Sequence, residues 1–155
     1  MSETGTFAVD SPVGPLAITL LDGQISALRW EWGPLRPAFG PVSVKAARQL
    51  AAYFDGRLTS FNLPLLPAAS PFAASIRQAL CAIPYGQTLR YGDIARDLGV
   101  PAQAVGQGCG ANPIAIIVPC HRVLAANGLG GFSGGTGIEA KVALLRLEGA
   151  ASLLI

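Results

Sequence analysis

The stretch from residue 112 to residue 123 constrains the fold more than any other part of the chain. Its residues 114–118 are apolar and mostly β-branched, a composition typical of a buried strand or extended segment. Pro119 has no backbone N–H for a sheet ladder, so the backbone is expected to turn there. Cys120 and His121 follow at once, and His121 is the only histidine of the chain. The pattern predicts a thiol presented as a nucleophile at the edge of a rigid, dry support.

Packing roles for these two residues stay open at this point. A single cysteine more often behaves as a small buried hydrophobe than as a catalyst. The position of Cys120 directly before His121 and after a proline favours chemistry. Successive side chains of a regular strand point to opposite faces, so cooperation between the two requires an irregular backbone.

Length and composition limit the class of protein. The chain has 155 residues, of which 51% are hydrophobic and 13% charged, which suits one compact unit or two small subdomains with a real core. No apolar run reaches membrane-spanning length, and the N-terminus lacks a secretion signal. Three scattered cysteines indicate free thiols in a reducing compartment. We therefore expect a cytoplasmic protein that does not associate with membranes.

Charge alone does not identify a nucleic-acid binder, because the formal net charge is only +2. However, residues 98–138 contain no carboxylate, so a surface built from them would not repel phosphates. Arg122 is the side chain of this stretch that we expect to pair with phosphate. Binding to DNA is expected to rely mainly on backbone amides and shape.

Residues 1–68 are predicted to form an α/β scaffold subdomain, a small antiparallel sheet plus a helix. Asp22-Gly23 predicts a hairpin between residues 16–20 and 25–30, within a sheet of about three strands. A loop over residues 31–42 leads to a helix over residues 44–54, capped by Gly56. Its predicted apolar face consists of Val44, Ala47, Leu50, Ala51 and Phe54.

Residues 69–155 are predicted to form a mostly α subdomain with a helix-turn-helix, similar to a winged helix. Ser70-Pro71 starts a first helix, with Cys81 as a packing residue beside its stripe. Two short helices follow, one ending at Gly99 and one running from Pro101 to about Cys109. The stripe of the first helix is Phe72, Ile76, Ala79, Leu80 and Ile83, and that of a last helix ending at Glu148 is Ile138, Val142 and Leu145.

The second short helix is built of unusually small residues. Ala102, Gln103, Ala104 and Gly106 leave it a nearly smooth exposed face. Small side chains permit either close packing of two helices or insertion into a narrow DNA groove. Spacing alone does not choose between these two alternatives.

Several ordered motifs together resemble one known family. They are Tyr91 before a short helix, Asn112-Pro113, Pro119-Cys120-His121-Arg122-Val123, Gly131-Phe132-Ser133-Gly134-Gly135, and Lys141 through Glu148-Gly149. In order and nearly in spacing they resemble the O6-alkylguanine-DNA alkyltransferases, also called methylated-DNA–protein-cysteine methyltransferases. The resemblance is close from about residue 71 to residue 149 and looser over the first 60 or so.

The resemblance implies a DNA repair enzyme that flips O6-alkylguanine out of duplex DNA and transfers the alkyl group irreversibly to Cys120. His121 would act on the thiol through a bound water, with Glu148 orienting the imidazole. Tyr91 would donate to N3 of the leaving guanine, and Asn112 would hold the turn before Cys120. No cofactor or metal is implied, and we expect a monomer. The residues expected to line the pocket of the flipped base are Val123, Phe132, Ser133, Cys109 and Lys141.

The resemblance also implies that the second short helix enters the minor groove of double-stranded DNA. Ala102, Gln103, Ala104 and Gly106 would then contact the DNA. Two positions depart from the family pattern. Gln103 stands where the family has an arginine that fills the gap left by the flipped base, and Phe132 stands where a tyrosine is frequent.

Four other functions or sites fit the sequence less well. A non-catalytic relative that binds alkylated DNA and signals other repair is disfavoured by the thiol at Cys120. A cysteine hydrolase normally brings its histidine from a distant segment, unlike His121. A transcriptional helix-turn-helix module would place basic side chains on its second helix. A zinc site is disfavoured because Cys81, Cys109, Cys120 and His121 lack paired ligand spacing.

Overall fold

The computed structural model describes residues 3–130 and 137–150. The chain divides into two compact units, Met1–Leu66 and Pro67–Ile155, and each is described by itself. The boundary predicted between residues 68 and 69 lies two residues further along the chain.

The first unit contains a three-stranded antiparallel sheet in the order β1-β2-β3. Its strands are β1 (Gly5–Val9), β2 (Leu16–Leu21) and β3 (Gln24–Trp30). Asp22 and Gly23 join β2 to β3 with φ angles of 49° and 78°, the backbone of a type I′ turn, whose twist matches that of the strands. Phe7, Ile18 and Leu28 face one another in register and are buried. The predicted sheet and hairpin are confirmed.

Helix α1 (Pro41–Phe54) packs a different face from the one predicted. Its buried residues are Ser43, Ala46, Leu50 and Tyr53, one position before most of the predicted stripe, and Val44 is 36% exposed. Ser43 can be buried because its hydroxyl accepts from the N–H groups of Phe39 and Gly40 and donates to the Gly40 carbonyl. A hydrogen-bonded serine thus occupies a core position that an apolar stripe could not indicate.

The second unit is mostly helical, as predicted. Gly99, with a φ of 68°, ends the first helix of the predicted helix-turn-helix, formed by α3 and α4. No helix among the described residues has the length and hydropathy needed to cross a membrane. The elements are α2 (Pro71–Cys81), β4 (Leu89–Arg90), α3 (Tyr91–Leu98), α4 (Ala102–Gly110), a 3₁₀ turn (Cys120–Arg122), β5 (Val123–Leu124) and α5 (Ile138–Leu147).

Two predicted apolar faces in this unit are only partly correct. In α2, Ile76 and Leu80 are buried, but Phe72 is 39% exposed and Cys81 is exposed rather than packed. In α5, Ile138 is 42% exposed, and buried Lys141 shares the inner face with Leu144 and Leu145. Phe72, Cys81 and Ile138 all lie in the first or last turn of their helices, so helical spacing alone overestimates burial at these positions.

A short parallel ladder positions the candidate site. Strand β4 pairs with β5 through Leu89 opposite Val123 and Arg90 opposite Leu124. Tyr91 directly follows β4, and the 3₁₀ turn with Cys120 directly precedes β5. The ladder therefore brings the start of α3 beside the thiol-bearing segment.

Candidate active site

The apolar segment before Cys120 is a turn rather than the predicted strand. The Asn112 side chain accepts from the Ile114 N–H at 3.1 Å and donates to the Val118 carbonyl at 2.9 Å. The Val118 N–H in turn donates to the Ile114 carbonyl at 3.0 Å, and Ile116 has a φ of 71°. The expectation of an extended segment is therefore wrong, because one side chain satisfies the backbone groups that a strand would pair.

This turn presents Cys120 at the surface of a dry support. Residues 114–119 are buried, whereas Cys120 is only partly so. The Cys120 N–H donates to the Val118 carbonyl at 2.8 Å, which fixes the start of the 3₁₀ turn. In this irregular backbone the His121 side chain is fully buried.

His121 is bound to a carboxylate inside the protein. Its Nε2 lies 2.7 Å from Oε2 of Glu148, and both side chains have 0% exposure. Glu148 caps the C-terminal end of α5, where the helix dipole disfavours an anion. A compensating charge is therefore required nearby.

Arg122 supplies that charge. Its Nε donates to Glu148 Oε1 at 2.8 Å and its Nη2 donates to Glu148 Oε2 at 3.0 Å, while Nη1 donates to the Ile83 carbonyl at 2.7 Å. The predicted pairing of Arg122 with a DNA phosphate is therefore wrong. The guanidinium is buried, and these bonds inside the protein occupy it.

The charges determine which imidazole nitrogen carries the proton. Glu148 is held as a carboxylate by Arg122 and can only accept, so we assign the hydrogen to Nε2. Nδ1 is buried and has no hydrogen-bond partner among the described residues. Burial lowers the pKa of His121, and the contact with Glu148 opposes that effect. The imidazole is therefore neutral at pH 7, with Nδ1 as the basic atom.

The thiol lies among groups that perturb its titration. Burial raises the pKa of Cys120, and a hydrogen bond from the Asn112 side chain and the charge of Lys141 lower it in part. Lys141 Nζ donates to the Val123 carbonyl at 2.6 Å, and burial lowers the pKa of its ammonium to about 8. Burial also raises the pKa of the neighbouring Cys109 to about 12. Cys120 therefore needs a base to become a thiolate.

Tyr91 stands on the other side of this cluster. The Lys141 ammonium lies 5.9 Å from the centre of its ring. Burial is the main cause that raises the pKa of Tyr91, and the two cysteines add to it, so the phenol stays protonated and can donate. Gly130, with a φ of 74°, lies close to the Tyr91 ring: a Cβ atom added to it would be only 3.0 Å from Tyr91 Cε2. The backbone at Gly130 therefore packs directly against the ring.

The structure thus brings together most of the predicted site residues, namely Tyr91, Cys109, Asn112, Cys120, His121, Val123, Lys141 and Glu148. The Val123 carbonyl is bound by Lys141. Phe132 and Ser133 lie outside the described residues.

Sequence reasoning missed two contributors at the end of α2. The Ile83 carbonyl binds Arg122, and the Tyr85 hydroxyl donates to the Leu147 carbonyl at 3.3 Å, with its ring 5.8 Å from the Arg122 guanidinium. Pro84-Tyr85-Gly86 indicated only the end of a helix. Gly86 adopts a φ of 82° in this turn, and the glycine itself is the sequence signal that a specific turn follows Pro84-Tyr85.

Helix α4 presents the small residues expected to contact DNA. Ala102 and Gln103 are exposed, and Ala104 and Gly106 are half-buried. Apart from the adjoining helix backbone, a Cβ at Gly106 would meet no atom of the described part of the chain within 4 Å, whereas one at Gly108 would lie 2.8 Å from Ile76 Cγ1. Helix packing therefore explains Gly108 but does not explain Gly106.

Within residues 3–130 and 137–150, no group of three or more His, Cys, Asp or Glu side chains lies close enough to hold a metal ion. The chemistry available at the site is that of a thiol, a neutral imidazole with a free basic nitrogen, and a protonated phenol.

Comparisons with known proteins agree with this arrangement. Residues 71–150 match the model of the 6-O-methylguanine DNA methyltransferase, DNA binding domain. A methylated-DNA–protein-cysteine methyltransferase of Mycobacterium bovis is 44% identical over 153 residues, which cover 90% of this chain and 89% of that protein.

Two solved structures from Mycobacterium tuberculosis resemble the fold, each with a TM-score of 0.81. The crystal structure of the O6-methylguanine methyltransferase is 40% identical and covers 99% of this chain and 97% of that chain. A second structure, in complex with DNA, is 43% identical and covers 94% of this chain and 92% of that chain.

Proposed function

Because the chain belongs to the family of methylated-DNA–protein-cysteine methyltransferases, we propose that it repairs O6-alkylguanine in DNA by transferring the alkyl group to its own Cys120. The observation that carries this proposal is the buried Glu148–His121 pair, with a contact of 2.7 Å, next in the chain to a thiol that needs a base. The product thioether is not cleaved, so each molecule acts once.

The first step is loss of the thiol proton. His121 Nδ1 takes the proton from Cys120 through a water, and the imidazolium that forms is stabilised by the Glu148 carboxylate. The Lys141 ammonium and the Asn112 amide favour the thiolate over the thiol. These groups stabilise the two charges that form in this step, on the imidazolium and on the thiolate, and such preorganised groups promote ionisation in a buried site.

The second step transfers the alkyl group. The Cys120 sulfur attacks the alkyl carbon, a new S–C bond forms, and the bond from that carbon to guanine O6 breaks with its electron pair moving into the purine. Tyr91 gives its hydroxyl proton to guanine N3, and exchange with water then removes the N3 proton and places one on N1. The proton lost by Cys120 restores the phenol, so the products are S-alkylcysteine and unmodified guanine with no net change in protons.

The substrate must leave the duplex before this chemistry can occur. Extruding a base costs roughly a few kcal/mol, and close contact between α4 and the minor groove would offset that cost. We propose that Ala102, Gln103, Ala104 and Gly106 make this contact, and that Val123, Phe132, Ser133 and Cys109 line the pocket. Gly106 supports this placement, since, apart from the adjoining helix backbone, no atom of residues 3–130 and 137–150 lies within 4 Å of a Cβ placed there. We further propose that the protein acts as a monomer in the cytoplasm, without association with membranes.

The test is intact-protein mass spectrometry after mixing with an O6-methylguanine duplex. We expect each protein molecule to gain the mass of one methyl group, mapped by peptide analysis to Cys120. Cys120→Ser should abolish the gain, and the matched variant Cys81→Ser, at an exposed cysteine, should leave it intact. Methylation of Cys81 or Cys109 instead would refute the assignment, and tight binding of the duplex without any methylation would indicate a binding-only relative.

A further inference from the structure

The Arg122 side chain connects three segments of the chain that are separated in sequence. It spans both oxygens of the Glu148 carboxylate, at 2.8 and 3.0 Å, and reaches the Ile83 carbonyl beyond the end of α2 at 2.7 Å. The Tyr85 ring lies beside the guanidinium, and the Tyr85 hydroxyl holds the chain just before Glu148 through Leu147. None of these contacts involves the thiol or a described residue proposed to contact the base.

The protonation state of Glu148 determines which imidazole nitrogen of His121 carries the hydrogen. A fully buried carboxylate with only a neutral imidazole beside it would tend to bind a proton, because burial disfavours the charged form. The resulting carboxylic acid would donate its O–H to His121 Nε2, and the imidazole hydrogen would then reside on Nδ1. Nδ1 would then be a donor and could not take a proton from Cys120.

We propose that Arg122 is a positioning residue that selects the Nε2–H tautomer of His121 by keeping Glu148 a carboxylate. The bidentate fork of an arginine suits this task, because it binds both oxygens while one of them still accepts from the imidazole. The consequence for alkyl transfer rests on the function proposed above, but the tautomer is a property of the resting protein.

The test uses the fact that His121 is the only histidine of the chain. A two-bond ¹H–¹⁵N NMR spectrum of the imidazole therefore reports one ring and distinguishes its tautomers directly. Spectra are recorded for the unmodified protein and for Arg122→Met, Arg122→Lys and the control Arg57→Met. The rate of alkyl transfer from free O6-benzylguanine is measured for each, so that binding to DNA does not enter.

We expect the Nε2–H tautomer in the unmodified protein and a predominant Nδ1–H tautomer in Arg122→Met, with transfer slowed by about 100-fold. Arg122→Lys retains the charge and should keep the Nε2–H tautomer, with a rate within about tenfold of the original. Arg57→Met removes an exposed arginine of the other unit and should change neither the tautomer nor the rate.

A folded Arg122→Met protein with an unchanged tautomer and rate would overturn the proposal. An Nδ1–H tautomer in the unmodified protein would do so even if Arg122→Met does not fold. If the unmodified protein transfers no alkyl group at all, the proposed function fails, while the spectra still decide the role of Arg122.

Discussion

At the residue scale, burial of the charged Lys141 ammonium lowers the stability of the folded protein. Its side chain is fully buried and its ammonium binds the Val123 carbonyl. Burial lowers its pKa from 10.5 to about 8, so between these values the folded state binds fewer protons than the unfolded state. Stability should therefore rise with pH in this range, because the cost of burying the ammonium is present below about pH 8 and disappears as the amine becomes neutral.

We predict that replacing Lys141 by Met removes this dependence. From pH 8 to pH 9 the free energy of unfolding of the unmodified protein should rise by about 1 kcal/mol relative to that of Lys141→Met. Urea denaturation at both values measures it, and Lys45→Met, at an exposed lysine of α1, is the control. Higher pH is avoided because burial raises the pKa of Cys109 from 9.0 to about 12. Between these values the unfolded state loses this proton more readily, so the titration of Cys109 lowers stability as pH rises. A constant difference between the two proteins would contradict the prediction.

Gln103 is the residue of α4 that we expect to limit how well the protein stabilises the extruded base. It is exposed in the first turn of α4, and its amide lacks the charge and planar stacking surface of an arginine. We predict that Gln103→Arg speeds repair of a lesion in duplex DNA and barely alters the reaction with free O6-benzylguanine. It should also steepen the salt dependence of duplex binding. Equal acceleration on both substrates would mean that residue 103 acts on the pocket instead.

At the scale of elements, the glycines of α4 separate a packing role from a binding role. Gly108 lies against Ile76, with a Cβ position 2.8 Å from its Cγ1, whereas the Cβ position of Gly106 is open. We predict that Gly108→Ala lowers the free energy of unfolding by about 1–3 kcal/mol through overpacking. Gly106→Ala should raise it by about 0.5–1 kcal/mol, because alanine is the better helix former. Thermal or urea denaturation of both variants measures the two effects.

The binding role of Gly106 is tested with a larger side chain in the same place. Gly106→Leu should weaken binding to the duplex and leave the reaction with the free base unchanged, because the added atoms meet the groove rather than the core. Unchanged duplex affinity would show that this face of α4 does not approach the DNA.

Most elements could be predicted from local patterns, but the details that form the site could not. Ser70 and Gly99 mark helix ends through their own chemistry and were predicted. The two-residue ladder of β4 and β5 joins segments more than 30 residues apart and has no periodicity to detect. A β-branched run also indicates a strand by propensity, but the side-chain hydrogen bonds of Asn112 to Ile114 and Val118 override that propensity and form a turn.

The site residues were predictable in type but only partly in role. Cys120, His121 and Glu148 follow from the motif and its resemblance to a family. The sequence predicts a phosphate partner for Arg122, because it is the only Lys or Arg in a stretch without carboxylates, residues 98–138. Its actual partner, Glu148, is 26 residues away in the chain, and such a pairing is set by the fold rather than by the local sequence.

At the scale of the whole molecule, every described site residue belongs to the unit Pro67–Ile155. Leu50 of α1 is fully buried in the other unit. We predict that Leu50→Ala lowers the free energy of unfolding by about 2–5 kcal/mol, whereas each folded molecule still accepts one methyl group. Val44→Ala, at an exposed position of the same helix, should change stability by less than about 0.5 kcal/mol. Denaturation and mass spectrometry on the same samples provide both measurements, and a lower methyl stoichiometry per folded molecule would contradict the prediction.

The turn held by Asn112 has a consequence for how the protein ages. Asparagine side chains deteriorate when the backbone nitrogen of the next residue attacks the amide carbon and expels ammonia. Here the next residue is Pro113, whose nitrogen carries no hydrogen and is closed in a ring, and the amide is also held by Ile114 and Val118. A protein that reacts only once spends most of its lifetime waiting for a lesion, and this sequence protects the amide that keeps its thiol in place from chemical decay.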